Sequence, residues 1–412
     1  MTAEEDCKDY EYIIAGDIGG TNCRIALYAP SAVTLISSEP FTPIVDQRYS
    51  NQKYVKEHGG SAFYAILHDF FNKCKAEDSN FKSHDNIKVS IHACFACAGP
   101  INENECIFSN LKFSNNNFII NGDDIKNSKD GYLNYIKVCK IINDFVGQGY
   151  GCLDLDLDNE CEELVPGSIE KIKKSSGPKV CIGAGTGLGE CFLTCSSINP
   201  SVGYECFPSE GGHVEYAPSN ELEEKLWVHL KKRFDETPDR TSNRISVERV
   251  ASGKGLADVY FFLAGNPFLA GYSPDEVDAE VKKFKAADDK GKVVGENAER
   301  GNLCGIAVGI FARAYGAEAG NCCLKWLCTG GLYVSGDIIG KMLKNLKTRG
   351  YFYGDESEFM TAFKKKGRLS SIFKDIPVVV VTPDPIKLPL GVRGAFLYAK
   401  RELKKNIAMQ SE

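Results

Sequence analysis

One device, an apolar strand followed by a glycine turn and a second strand, occurs twice in this chain and constrains its fold more than any other feature. "YEYIIAGDIGGTNCRIALY" places a short strand at Tyr12–Ala15, a tight turn over Asp17–Asn22 and a return strand at Cys23–Tyr28. "VCIGAGTGLGECFLT" repeats the pattern from Val180 onward. The copies stand roughly 165 residues apart, about one domain length. That spacing marks a duplicated fold rather than one enlarged core, and the 412 residues agree with two domains. A third glycine turn, Thr329-Gly330-Gly331, reads as the end of a third apolar strand. Glycines at such turns let backbone N–H groups approach an anion without a Cβ in the way. Three in order point to phosphate. Neither common nucleotide loop fits: the first two turns lead into strands rather than helices, and "ASGKGL" around Lys254 lacks the Ser or Thr that follows a P-loop lysine.

The strand at Val138–Ile142 stops abruptly at Asn143-Asp144, before the glycine-rich "FVGQGYG". Two readings stand side by side. The pair could cap a helix and satisfy its orphan amides. Alternatively, Asp144 could be a general base at the carboxyl end of a strand, where open α/β sheets place ligands.

Bulk properties exclude several classes. Net charge is −6, and the densest basic run, Lys364-Lys365-Lys366 with Arg368, is short, so nothing suggests a nucleic-acid backbone as partner. No apolar run is long enough to span a membrane, and the acidic "MTAEEDCKDYEY" is no signal peptide, so cytoplasm is the expected compartment. The 17 cysteines, an odd number, read as reduced thiols, many of them buried. "HACFAC" (His92, Cys94, Cys97) is not a metal site on this reading, because a strand over Lys88–Cys97 turns Cys94 and Cys97 to opposite faces. Cys23, beside the first glycine turn, is a candidate for inhibition by thiol oxidation.

Further elements follow from periodicity. Helices are expected near Ser61–Phe71, after Asn110, over Asn297–Trp326 and over Gly391–Lys404, and strands at Cys106–Ser109 and Val378–Val381. Asn220 should cap an amphipathic helix carrying Leu222, Leu226, Leu230 and Phe234, with Glu223 completing a capping box. The segment 235–244 reads as a polar linker. "DLDLDNECEELV" (Asp154–Val165) imitates a calcium loop, but Asn159 and Val165 fall where glycine and glutamate are needed, so it reads as a solvated acidic loop.

The ordered set "GDIGGTN", "INDF", "GAGTGLG", "SEGGHVEYAP", "SVERVASGKGL" and "CTGG" resembles the bacterial-type glucokinases, within the sugar kinase, Hsp70 and actin superfamily, from about Ile13 to Leu397. The resemblance implies an α/β actin-like ATPase (ribonuclease H-like) fold with two domains flanking a cleft: a small domain over 1–142, completed by a C-terminal helix at 386–412, and a large domain over 143–385. It implies transfer of the γ-phosphoryl of ATP to the 6-hydroxyl of glucose, the first step of glycolysis. Asp144 would be the general base. Asn110, Asn143, Asp144, Glu210, His213 and Glu248 would meet the sugar. Asp17 would hold Mg²⁺ through water, Gly19, Gly20, Thr21 and Asn22 would face the terminal phosphates, Gly185, Thr186 and Gly187 the other side, and Gly330 and Gly331 the adenosine. His213 is followed by "VEYAP" without the cysteines of the zinc-bearing branch, so no structural zinc is expected. Glucose and ATP are the implied partners, and a homodimer is the assembly the resemblance suggests. Alternatives are a kinase for mannose, fructose or an N-acetylhexosamine, ADP or polyphosphate as donor, a non-catalytic sugar sensor, and an actin-like filament protein.

Overall fold

The computed structural model describes residues 8–29, 42–81, 87–195, 203–235, 244–265, 287–382 and 384–410. Most of the expected linker, 236–243, lies outside them. The chain divides into two compact units: Met1–Leu155 with Pro385–Glu412, and Asp156–Asp384.

The first unit is built on a five-stranded sheet in the order β3-β2-β1-β4-β8, from β1 (Lys8–Ile18), β2 (Asn22–Tyr28), β3 (Val45–Ser50), β4 (Ile87–Cys97) and β8 (Ile136–Asn143). β1, β2 and β3 pair antiparallel, while β1, β4 and β8 run parallel. Tyr12, Ile13, Ile14 and Ala15 are all fully buried, the continuous apolar run expected of a central strand covered on both faces. A smaller sheet joins β5 (Ile101–Asn102), β6 (Glu105–Phe113) and β7 (Asn116–Asn121). The helix expected after Asn110 is therefore a hairpin. Phe108, Phe118 and Ile120 are buried while Ile107 and Ile119 are exposed, the period-two pattern of a half-buried strand. Ser114, at φ 52°, makes the turn.

The second unit repeats the topology. Its sheet has the order β12-β11-β10-β13-β14-β9, from β9 (Cys161–Glu163), β10 (Lys179–Ala184), β11 (Leu188–Cys195), β12 (Tyr204–Ser209), β13 (Gly331–Ser335) and β14 (Val378–Val381). β10, β11 and β12 pair antiparallel, and β10, β13 and β14 run parallel. Apart from β9 at the edge, this matches the first unit strand for strand, so the duplication legible in the two hairpins extends to the whole sheet. The long helix is Leu303–Trp326, shorter at its start than the periodicity predicts, and a separate helix, Ala287–Glu296, precedes it. Residues on all its sides are buried, as for a helix inside a core.

Three expectations are corrected. The acidic segment Asp154–Val165 is not a solvated loop: Asp154 pairs with the buried Arg393 at 2.8 Å, Glu160 is fully buried, and β9 extends the sheet beside β14. The glycine turn at Thr329–Gly331 follows a helix and opens β13, rather than ending a strand. The division of the chain falls after Leu155, not before Asn143. The helix Asp144–Cys152 stays with the first unit because it meets the C-terminal helix Leu390–Gln410 almost backbone to backbone. A Cβ on Gly394 would overlap the carbonyl of Gly147, and one on Gly151 would overlap that of Leu390.

Candidate active site

The parallel register of the first unit decides what its sheet presents at one end. Ile18 stands beside Cys97, and Cys97 beside Asn143, so the carboxyl ends of β1, β4 and β8 are level. The first glycine turn and Asn143-Asp144 therefore emerge from the same edge, the place where parallel α/β sheets bind ligands.

Asp17 is the penultimate residue of β1. Its carboxyl is crowded, and burial pushes its pKa up to about 6. No described residue donates a hydrogen bond to it, and Gly391 leaves it room, since a Cβ there would run into the carboxyl. The turn beyond is closed by Gly19 N–H donating to the Asn22 carbonyl at 2.9 Å. Asn51 Nδ2 donates to the Gly19 carbonyl at 2.6 Å, and Gln52 N–H to that of Thr21 at 3.4 Å. Asn51, almost fully buried, is a residue that sequence reasoning missed. Ser50 caps the helix Asn51–His58, and Asn51, its first residue, holds the turn.

At the end of β8 the cap reading is correct for Asn143. Its side chain accepts the N–H of Phe145 at 2.9 Å, and its Nδ2 donates to Gly99 O at 3.3 Å. Asp144 is the first residue of the helix, half-buried, with Oδ1 accepting the same Phe145 N–H at 3.0 Å. A carboxylate there is favoured by the positive end of the helix dipole. Asn110 lies on β6, but its side chain is outside the described residues.

In the second unit, Gly185 N–H closes its turn on the Gly187 carbonyl at 2.8 Å, and Gly253 N–H donates to Gly185 O at 2.9 Å. "ASGKGL" is thus a helix start, capped by Ser252 and tied to the hairpin tip, with Lys254 exposed. Glu248 approaches the same hairpin. Its Oε2 accepts the N–H of Leu188 at 3.0 Å, and a Cβ on Gly187 would strike it. Glu210 and His213 flank Gly211-Gly212, both well exposed, with Oε2 and Nε2 3.8 Å apart. Gly330 and Gly331 are buried by their own unit: Gly330 N–H donates to Pro178 O at 2.8 Å, Lys179 Nζ donates to Gly330 O at 2.7 Å, and Gly331 has φ 123°. Close packing accounts for both glycines. Thr329 beside them is exposed.

Arg24 pairs with Asp46, Nε to Oδ1 at 2.8 Å, and takes no part in the first turn. Cys23 is buried, and burial pushes its thiol up to about 12, so it lacks the thiolate that oxidation requires. All described cysteines are free thiols, and all but Cys161 and Cys195 are buried. No helix among the described residues is long and apolar enough to cross a membrane.

A family model described as Glucokinase matches residues 14–402. The chain belongs to the glucokinase family. Among curated relatives, the glucokinase of Nostoc punctiforme is 32% identical over 397 residues, covering 94% of this chain and 99% of that one. The glucokinase of Helicobacter pylori strain J99 is 28% identical over 394 residues, covering 94% and 95%. Solved structures share the actin-like ATPase fold. The glucokinase of an Antarctic psychrotroph aligns with TM-score 0.60 at 22% identity, over 95% of this chain and 99% of that one. The glucokinase of Balamuthia mandrillaris in complex with glucose aligns with TM-score 0.69 at 19% identity, over 95% and 94%. A ROK family glucokinase from Streptomyces griseus, in complex with glucose and AMPPNP, aligns with TM-score 0.53 at 16% identity, over 95% and 99%. As a member of this family the chain is an ATP-dependent glucose kinase.

Proposed function

We propose that Asp144 is the general base for phosphorylation of the glucose 6-hydroxyl by ATP, and that the two glycine hairpins hold the phosphates. The observation that carries the reading is the level register of β1, β4 and β8, which brings Asp144 and the Asp17 hairpin to one sheet edge. Phosphoryl transfer asks for positioning and charge neutralisation more than for covalent chemistry. Asn110, Asn143, Asp144, Glu210, His213 and Glu248 are the glucose contacts of this reading. Carboxylates and amides suit this task because each can serve paired hydroxyls, and a hydroxyl left unpaired in a closed site is costly. Asp144 takes the proton of the 6-hydroxyl as its oxygen attacks the γ-phosphorus, and ADP leaves. Gly19, Gly20, Thr21 and Asn22, and Gly185, Thr186 and Gly187, face the phosphates, with the Gly19 and Gly185 amides closing the turns that present the others. Gly330 and Gly331 pack against the adenosine.

Asp17 fits a hydrated Mg²⁺: it offers hard carboxylate oxygens, crowded and without a hydrogen-bond donor among the described residues. Bound with ATP, the ion would neutralise charge on the phosphates. The product would enter glycolysis in the cytoplasm, and the protein would act as a homodimer.

Incubation with Mg-ATP and glucose should yield glucose 6-phosphate, followed by a coupled assay. A sugar panel ranked by kcat/KM should place glucose above mannose, fructose and N-acetylhexosamines. Absence of turnover with every hexose would sink the reading, and faster turnover with ADP or polyphosphate would reassign the donor. Sedimentation should show a dimer mass.

A further inference from the structure

The loop that carries Glu210 and His213 rests on a buried carboxyl group that the mechanism does not use. Strand β12 ends at Ser209, one residue before Glu210, and Ser209 stands opposite Glu190 on β11. Glu190 is 3% exposed. A Cβ on Gly211 would overlap Glu190 Oε2, and one on Gly212 would overlap the carbonyl of Leu188. The turn therefore lies directly on these two residues, and glycine is required there by the closeness of the seat.

Beneath Glu190 lies the long helix Leu303–Trp326. Its Glu318 and Cys322 are both buried, and the ligand atoms of Glu190, Glu318 and Cys322 all lie within 4.8 Å of one another. Glu318 is already served: Lys325 Nζ is 3.3 Å from its Oε1, and Asn321 Nδ2 donates to its Oε2 at 2.9 Å. Glu190 Oε1 is buried with no hydrogen-bond partner. Lys325 and Lys366 both stand on the Glu318 side of the cluster, while Glu190 makes no ion pair among the described residues, and a buried charge without a partner is costly. A proton on Glu190 removes it. Burial, then the charge of Glu318, push the Glu190 carboxyl up to about 7, against the opposing pull of Cys322 and Lys325.

We propose that Glu190 is a positioning residue for sugar binding: its uncharged carboxyl is the floor that seats Gly211-Gly212, and its ionisation displaces Glu210 and His213. This rests on the reading of Glu210 and His213 as glucose contacts. The groups that face Glu190 are Glu318, Cys322, Lys325 and Tyr315 of the long helix, with Lys366 beside Asn321 and His213 on the turn itself. Ionised Glu190 meets Glu318 as a like charge, and the Gly211-Gly212 turn seated on its Oε2 is the neighbour it strains.

The test measures KM for glucose and kcat between about pH 6 and about pH 8.5 in the wild type, Glu190→Gln, Lys325→Gln and Glu210→Gln. Wild-type KM should rise about five- to tenfold across neutrality while kcat changes less. Glu190→Gln, neutral and of the same shape, should keep the low KM and flatten its pH dependence. The difference between these two proteins is the readout, because His213 remains in both. Should Glu190→Gln fail to fold, Lys325→Gln still decides: removing the ammonium should move the rise in KM to higher pH. An unchanged KM profile in Glu190→Gln, or in Lys325→Gln, overturns the proposal while leaving the sugar contacts standing. A divalent ion retained by the purified protein and lost in Cys322→Ser also overturns it, by putting a cation where the proton is assigned. If Glu210→Gln leaves the glucose KM unmoved, the sugar-contact reading fails, and this inference with it.

Discussion

Asp144 shows how far a single residue can be read. As an acid at the end of an apolar strand it had two explanations; in the structure Asn143 makes the cap, and Asp144, half-buried at the sheet edge, accepts the same Phe145 N–H. Asp144→Asn should lower kcat by about 10²- to 10⁴-fold, the usual worth of a general base, with glucose affinity changed only a few-fold by calorimetry. Retention of near-normal kcat would show that the base lies elsewhere. Glu248 was legible as a polar residue of a sugar site, but its bond to Leu188 N–H was not, because the two are 60 residues apart. That bond ties Glu248 to the start of the second strand of the hairpin. Glu248→Ala should therefore raise KM for ATP as well as for glucose in steady-state kinetics, whereas a residue touching sugar alone would leave the ATP value in place. Asn51 was not legible, since its role depends on a carbonyl of the distant Gly19.

Elements were legible wherever their period was strong and were lost where chemistry came from contact. The glycines of "FVGQGYG" look like a loop, yet Gly147 and Gly151 lie one helical turn apart and admit Leu390, Gly391 and Gly394. A Cβ at Gly394 has no room, and overpacking of this kind costs about 1–3 kcal/mol. Gly394→Ala should lower the midpoint of urea unfolding accordingly. Asn220 does cap the helix Glu221–Asp235, accepting the N–H of Glu223 at 3.0 Å. Glu223, expected to complete the box, instead accepts from Ser219 N–H at 2.9 Å, Tyr216 OH at 2.8 Å and Arg313 Nε at 2.7 Å, and is 1% exposed. Burial alone would raise its pKa. The Arg313 and Ser219 hydrogen bonds outweigh burial and hold it below the ordinary value. Its contribution to stability is therefore present above the unfolded carboxylate range and is lost as pH falls through the lowered folded value. Glu223→Ala should destabilise by about 1–3 kcal/mol near neutral pH, the cost of leaving buried donors unsatisfied while Arg313 keeps its second partner, Glu358, at 2.9 Å. That loss should shrink in thermal melts taken in acid.

For the whole molecule, the C-terminal helix Leu390–Gln410 belongs to the first unit although the second unit intervenes in the chain. It packs on the helix Asp144–Cys152 and on β1 and β4, and Phe396 stacks on Tyr28 at 4.0 Å. Ending the chain at residue 384 should expose that core and remove the cooperative unfolding of the first unit, seen by circular dichroism, while the second unit keeps its own transition. By itself the sequence determined that there are two α/β units, that each carries a glycine hairpin, and that the chain is a glucokinase. These are local facts, written in period, turn chemistry and ordered motifs. Tertiary structure decided the partners: that Asn51 holds the first hairpin, that Glu248 holds the second, that Gly330 and Gly331 are needed for packing, and that Glu190 lies under Gly211-Gly212. Each depends on groups far apart in the chain that only the folded backbone brings within reach of a hydrogen bond or a Cβ.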